Sequence, residues 1–371
     1  MRVAILGTRG IPANYGGFET FAQELAVRLV KRGHAVTVYG RNHYVPRGLR
    51  EHEGVRLVRL PAVRHKYLDT VSHTVLSVLH ALFRRFDVLL VCNAANAFCC
   101  WVPRLTGKKV VLNVDGLERN RRKWNALGRL HYRVSETLSC WFPSAVVTDA
   151  VAIQRYYRDR HRTETTMIPY GADPFDTPPG ETLARLGVGP GDYYLYVSRL
   201  EPENNAHLVV RLFEGLKTDR KLLVVGDAPY AKEYIAALKA TKDPRIRFPG
   251  AIYGEGYREL VSNAHAYLHA TEVGGTHPAL VENLASGNVV FCLDTPENRE
   301  VVGDAGVLFD AADAAGALAR LQAFEDDPAG AASLRARARA RAAAHYAWDT
   351  VVEAYLGLFE RLVRRKSEKN A

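Results

Sequence analysis

Three short segments concentrate the groups best suited to holding an anionic ligand. In 269–287 (HATEVGGTHPALVENLASG) an apolar run ends in a Gly-Gly turn, and Pro278 suits the first turn of a following helix. The amides of Gly274, Gly275 and Thr276 would face a diphosphate there. Glu282 falls about one turn into that helix, where its carboxylate could accept hydrogen bonds from ribose hydroxyls or pair with a nearby Arg or Lys. The second segment, 198–205 (SRLEPENN), sets Arg199 just past another apolar run. A guanidinium at the carboxyl end of a parallel strand can clamp phosphate oxygens; its competing use is a salt bridge to Glu201 or Glu203. The third, 7–19 (GTRGIPANYGGFE), has Gly16 and Gly17 just ahead of a helical pattern, where amides can approach an anion closely. It lacks both the G-K-[ST] of a P-loop and a clean G-x-G-x-x-G.

Two further places could meet a second substrate. Asp115-Gly116-Leu117-Glu118 follows a strand-like run, at the end of a strand where ligands are expected. The basic run Arg119, Arg121, Arg122 and Lys123 comes next; it is either a solvated loop or a surface for a lipid diphosphate or anionic headgroups.

These segments need a frame, and the chain supplies it twice. Strands are expected at 3–6, 35–39, 55–60, 88–92, 110–114 and 145–148, with a helix over 19–32 where Phe21, Leu25, Leu29 and Val30 recur at helical spacing. After the Pro/Gly-rich stretch 174–191 the pattern restarts, with strands at 193–197, 222–225, 246–248, 266–269 and 289–293 and helices at 204–216 and 278–286. Strands that are apolar throughout and alternate with helices indicate parallel sheets covered on both faces. The fold class is therefore α/β: two Rossmann-like, doubly wound domains with ligands at the carboxyl ends of their strands. The boundaries expected are 1–173 for the first domain, 174–192 for a linker and 193–345 for the second. A final helix, 346–371, should pack back on the first domain, ending a helical tail whose apolar stripe is Trp348, Val351, Val352, Tyr355, Leu356 and Phe359. In 71–86, Val71, Val75, Val78, Leu79, Leu82 and Phe86 form an apolar stripe with His73, His80, Arg84 and Arg85 on other faces; core packing explains it better than membrane contact.

With 371 residues, 47% of them hydrophobic and 24% charged, the composition is globular, too apolar for disorder and too charged for a membrane bundle. The opening apolar run is too short for a signal peptide, and the longest one, 88–102, is broken by Asn93 and Asn96, so a cytoplasmic protein without membrane spans is expected. Five cysteines without a C-x-x-C pair point to reduced thiols rather than a disulfide frame or a zinc site. Net charge is +15 over 1–170 and −5 over 171–371, so the first half favours an anionic partner.

Taken in order, GTRGIPANYGGFET, KRGHAVTVYGR, NVDGLERNRRKW, YVSRLEPENN and VGGTHPALVENLASG make the chain, over essentially its whole length, resemble a family-4 glycosyltransferase of the GT-B fold, in the rhamnosyltransferase branch. Of that family's E-x7-E pair only the second glutamate is present, as Glu282; Gly274 stands at the first. The family's basic residue after the strand arginine is replaced in the neighbourhood of Asn204.

The resemblance implies two domains facing a central cleft and retaining, metal-independent transfer of a sugar from a nucleotide-sugar co-substrate, dTDP-rhamnose first, with no cofactor. It implies a glycan or lipid-linked saccharide acceptor and a cytoplasmic location, peripheral on the inner face of the cell membrane. Arg199, Asp115 and Glu282 would be catalytic. Gly16, Gly17, Arg199, Asn204, Tyr253, Gly274, Gly275, Thr276, His277 and Glu282 would bind the donor, and Asp115, Glu118, Arg119 and Arg122 the acceptor. Two other classes compete. A GT-B-like sugar-nucleotide epimerase would need acid and base carboxylates in the cleft. A nucleic-acid binder using the basic half would leave the glycine loops without a purpose, and no basic–aromatic module is present.

Overall fold

Parallel β pairing organises each half of the chain. The computed structural model describes residues 1–370 except 14, 15, 66, 67, 123 and 230, with the backbone alone for 365–370. Asn14, Tyr15 and Lys123, named above, lie outside the described residues. Two compact units emerge. One comprises 1–120, 124–170 and 348–371; the other comprises 171–347 together with 121–123.

In the first unit the strands are β1 (Arg2–Leu6), β2 (Ala35–Arg41), β3 (Glu51–His52), β4 (Val55–Leu60), β5 (Val88–Cys92), β6 (Lys109–Asn113), β7 (Ala145–Thr148) and β8 (Thr166–Met167). They form one sheet in the order β3-β4-β2-β1-β5-β6-β7-β8, parallel except for the β3–β4 hairpin. The sheet is packed on both faces. Against one lie the helix Gly17–Lys31, through Phe21, Leu25 and Leu29, and the C-terminal helix Trp348–Asn370. Trp348, Val351, Val352, Tyr355, Leu356 and Phe359, the stripe read from the sequence, are all buried there. The Tyr355 hydroxyl accepts a hydrogen bond from Asn113 Nδ2 at 2.9 Å, tying the helix to the end of β6.

The second unit holds β9 (Tyr193–Val197), β10 (Lys221–Val225), β11 (Ile246–Gly250), β12 (Ala266–His269), β13 (Val290–Leu293) and β14 (Val307–Phe309), in the order β11-β10-β9-β12-β13-β14 and entirely parallel. Apolar clusters cover both of its faces.

The stretch 174–192, expected as the linker, packs against the second unit. Its helix Glu181–Leu186 sends Leu183, with Val188, into the same core as Tyr193 and Leu260, and Glu259 accepts hydrogen bonds from the amides of Gly180, Thr182 and Leu183. Two apolar side chains among the prolines and glycines were enough to anchor it.

The helix Asp69–Leu82 packs Val75 and Val78 of its stripe, with Phe86 beyond its end, into an apolar cluster of the first unit as expected, and buries His73, Thr74, Ser77 and Ala81 beside them; Leu79, at the edge of the stripe, and Leu76 stay exposed. Short side chains allow close approach, and Thr74 and Ser77 satisfy their hydroxyls on the carbonyls of Thr70 and His73.

Tyr355→Ala should remove about 3–5 kcal/mol from the first unit, as expected for losing a fully buried aromatic. Chemical denaturation would measure this, and Tyr355→Phe should fall well short of it because it gives up only the hydrogen bond.

Candidate active site

In a doubly wound sheet the chain leaves the first strand in one direction and later returns on its other side, which opens a crevice at that switch point. In the second unit the switch lies between β9 and β12. The two segments singled out above, 198–205 and 270–277, follow these two neighbouring strands, so the topology brings them together.

Arg199 leaves β9 with about a third of its side chain exposed, and its Nη1 lies 3.8 Å from Glu201 Oε2. The competing salt bridge is thus present in part, at a separation too long for a good hydrogen bond. Asn204 does not stand in for a cation. Its Nδ2 donates to the Arg199 carbonyl at 2.6 Å and its own carbonyl accepts from the Tyr196 hydroxyl at 2.6 Å, so it braces the turn that carries Arg199. Asn205, at φ +56°, donates to the Ala270 carbonyl at 3.0 Å and to Glu272 at 3.2 Å, lacing the two segments to each other.

Beyond β12, Gly274 is required by close approach. A Cβ there would stand 2.3 Å from His277 Cε1. The ring of His277 lies 5.0 Å from that of His269, whose Nδ1 meets the Tyr267 hydroxyl at 3.2 Å. Burial pushes His269 down to about 3. Burial first, then His269, Arg121 and Arg199, hold His277 well below the ordinary histidine range, so both rings are neutral at pH 7. Gly275 and Thr276 are buried, and Pro278 opens the helix Pro278–Ala285. On that helix Glu282 accepts from the Tyr257 hydroxyl at 2.5 Å. Burial, then the Glu282 charge, raises that phenol well above its ordinary value. Tyr253 precedes the helix Gly254–Ser262 and is half exposed.

Sequence reasoning missed the most buried charges of this site. Glu203 has no exposed surface and, among the described residues, no hydrogen bond to its carboxylate oxygens. The cation beside it is Arg121, whose Nη1 lies 3.7 Å from Glu203 and 3.9 Å from Glu201. Glu203 was visible only as an alternative partner of Arg199, and Arg121 only as part of a basic run. That run is divided among separate carboxylates. Arg119 donates to Glu136 at 2.7 Å and lies over the Tyr156 ring, while Arg122 donates to Glu272 at 2.9 Å. Burial raises Glu136, against the pull of Arg119.

The first unit has its own switch point, between β1 and β5. The loop after β1 is held closely: a Cβ on Gly7, at φ +89°, would stand 2.4 Å from the Cys92 carbonyl oxygen. Gly16 caps the helix Gly17–Lys31, yet the buried carboxylate of Glu19 already occupies the first turn and accepts the Arg9 amide at 2.8 Å. This loop is therefore not an open row of amides. Asp115 follows β6 at φ +56°, its amide donating to Asn113 Oδ1 at 3.1 Å, and Glu118 is buried beside it in sequence.

Comparison with known proteins agrees with this architecture. Residues 16–171 match the glycosyl transferase 4-like domain, and residues 187–344 match the family of glycosyl transferases group 1. The O-antigen chain mannosyltransferase B of Escherichia coli is 24% identical over 176 residues, which are 45% of this chain and 46% of that protein, so the chain spans about half the length of this curated relative. Sucrose-phosphate synthase from Thermosynechococcus elongatus superposes with a TM-score of 0.82 at 18% identity, over 98% of this chain and 99% of the other. HepE of Anabaena, solved with UDP-glucose, gives 0.79 at 17% identity, over 97% and 100%. At these identities the likeness establishes the fold, the pair of Rossmann-like domains expected from the sequence.

Two changes probe the crevice. Gly274→Ala forces the His277 ring aside and should cost about 1–3 kcal/mol by overpacking, read from denaturation midpoints. The second concerns pH. A histidine lowered to about 3 in the folded state, against an ordinary value of 6.5, contributes stability above pH 6.5 that is lost as pH falls towards 3, because the unfolded chain takes up the proton first. The wild type should therefore lose more stability than His269→Gln between pH 7 and 5, by up to about 1.4 kcal/mol per pH unit. Equal losses would mean that His269 protonates freely in the fold. Both units are assembled from glycosyltransferase domains, and the chain belongs to the glycosyltransferases, a 4-like domain at 16–171 followed by a group 1 domain at 187–344.

Proposed function

We propose that the protein is a retaining glycosyltransferase of cell-surface polysaccharide synthesis. It takes a sugar, L-rhamnose from dTDP-rhamnose as first choice, to a glycan or lipid-linked saccharide acceptor at the cytoplasmic face of the membrane. The observation that carries the reading is the meeting of Arg199, the 274–277 turn and Glu282 around the switch point of the second sheet. The name of the E. coli relative, a mannosyltransferase of O-antigen chains, supports the polysaccharide setting, and HepE with UDP-glucose supports a nucleotide-sugar donor. The choice of rhamnose rests on the resemblance of the five segments quoted above.

In this reading Arg199 and the amides of Gly274, Gly275 and Thr276 meet the charge that develops on the departing diphosphate, and no bound metal is needed. Neutral His277 and Asn204 shape that subsite, Tyr253 borders the base, and Glu282, oriented by Tyr257, accepts from the ribose hydroxyls. As the bond from the anomeric carbon to the phosphate oxygen breaks, the acceptor oxygen bonds the same face of that carbon. The acceptor's hydroxyl proton passes to the departing phosphate oxygen, so the nucleoside diphosphate leaves protonated and no carboxylate nucleophile is required. Asp115 and Glu118 are assigned to the acceptor, and the Gly16–Gly17 amides to an anionic group in the crevice of the first unit. Arg119 and Arg122 would join only by exchanging Glu136 and Glu272 for that ligand.

Arg199→Ala should cut turnover by about a hundredfold or more with an unchanged melting temperature; full turnover would take Arg199 out of the mechanism. Glu282→Ala should weaken nucleotide affinity about tenfold by calorimetry. The deciding assay is nucleotide release from UDP-, GDP- and dTDP-sugars, with EDTA present and with or without a lipid extract. Acceptor-dependent release from dTDP-rhamnose alone is expected. Release from another donor discards rhamnose, and release only after added divalent metal discards metal independence.

A further inference from the structure

Three helices on one face of the first sheet leave large apolar side chains in solvent. The helix Ala126–Trp141 buries Gly128, Tyr132, Ser135, Glu136 and Ser139, while Leu127, Leu130, Val134 and Trp141, at helical spacing, face solvent. The helix Asp69–Leu82 buries its histidine and hydroxyl face and exposes Leu76 and Leu79, with Phe83 just past its end 88% exposed. Between them the short helix Trp101–Leu105 exposes Trp101 and, at 76%, Leu105. Of the large apolar side chains exposed among the described residues, all but Tyr253 lie between 63 and 141.

The three helices present one surface. Arg104 Nη1, on the short helix, donates to the carbonyls of Trp141, Phe142 and Pro143, and the Trp101 ring lies 6.5 Å from that of Phe142. Lys108, just beyond the short helix, donates to the Leu82 carbonyl at 3.2 Å, which brings Phe83 to the same edge. Core residues of all three helices share one apolar cluster under the sheet.

Charge on this surface has one sign. Arg84, Arg85, Arg104, Arg129 and Arg133 are exposed. The helices carry just two carboxylates, Asp69 bonded to Arg41 and Glu136 buried against Arg119. Tryptophans and leucines rimmed by arginines, without exposed acids, fit the boundary between headgroups and acyl chains of an anionic bilayer. A water-facing surface would carry the polar face outward instead.

We propose that the face formed by Leu79, Phe83, Trp101, Leu105, Leu130 and Trp141 is where the protein lies on an anionic lipid bilayer, inserting these side chains while the arginines meet lipid phosphates. No helix among the described residues is long and apolar enough to cross a membrane, so the contact is interfacial. The proposal rests on the membrane location given above, but its test measures binding without turnover, so either reading can fail alone.

The test is cosedimentation of the full chain with vesicles of phosphatidylcholine alone or with phosphatidylglycerol added as about a third of the lipid. Binding is expected to the anionic vesicles and to weaken with salt. The triple variant Phe83→Ser, Leu105→Ser, Trp141→Ser should lose binding about a hundredfold, and Arg129→Ala with Arg133→Ala about tenfold. Brominated acyl chains should quench wild-type tryptophan fluorescence and, because Trp101 and Trp141 face the lipid, should quench it less in the triple variant. Absence of wild-type binding to either vesicle would overturn the proposal, as would undiminished binding by the triple variant. So would a concentration-dependent dimer that the triple variant abolishes while vesicles are ignored, since the face would then belong to a second copy.

Discussion

Two parallel strands cannot be joined by a tight turn, so every link between consecutive parallel strands in these sheets crosses a face before the chain re-enters. Each crossing needs a helix to cover the face, and each leaves its functional loop at the carboxyl end of a strand. Where the winding reverses, between β9 and β12 in one unit and β1 and β5 in the other, no crossover closes the gap. Arg199 and the 274–277 turn share a neighbourhood for that reason, although 78 positions separate Arg199 from His277. The same rule covers both faces of each sheet, and central strands such as β1 and β5 are buried along nearly their whole length.

Charge inside the second unit then sets what the crevice can present. Glu203 is buried and Arg121 lies against it, with Arg199 linked to the same group through Glu201. Removing Glu203 or Arg121 leaves the other charge uncompensated in a poorly solvated place, so the pair fixes the geometry around it. The two histidines add the complementary property. Held neutral by burial, they offer hydrogen-bonding nitrogens without opposing the guanidinium.

What the sequence made legible follows from how local each signal is. Apolar runs bounded by glycines located the long strands, and the C-terminal stripe from Trp348 to Phe359 named its buried residues individually, because helical periodicity is a local property. The two-residue strands β3 and β8 and the three-residue β14 escaped, since pairing rather than composition defines elements that short. The partners of the basic run escaped as well. Glu136, Glu203 and Glu272 are distant in sequence from Arg119, Arg121 and Arg122, and spacing carries no trace of them. In the helix Asp69–Leu82 the stripe turns inward through Val75 and Val78 as the spacing predicts, but its edge at Leu79 stays exposed, because periodicity locates the centre of an apolar face better than its margin.

The return of the helix Trp348–Asn370 has a consequence for how the molecule comes into being. The first unit is closed by residues made only after the whole of the second unit has been synthesised. Until Trp348, Val352, Tyr355 and Phe359 leave the ribosome, Phe21 and Leu25 lack part of their apolar cover, whereas the second unit is continuous apart from 121–123 and has its core complete once Tyr346 is made. Vectorial synthesis thus reverses the usual N-to-C order of domain completion here, and the amino-terminal unit waits as an unfinished body for its last helix.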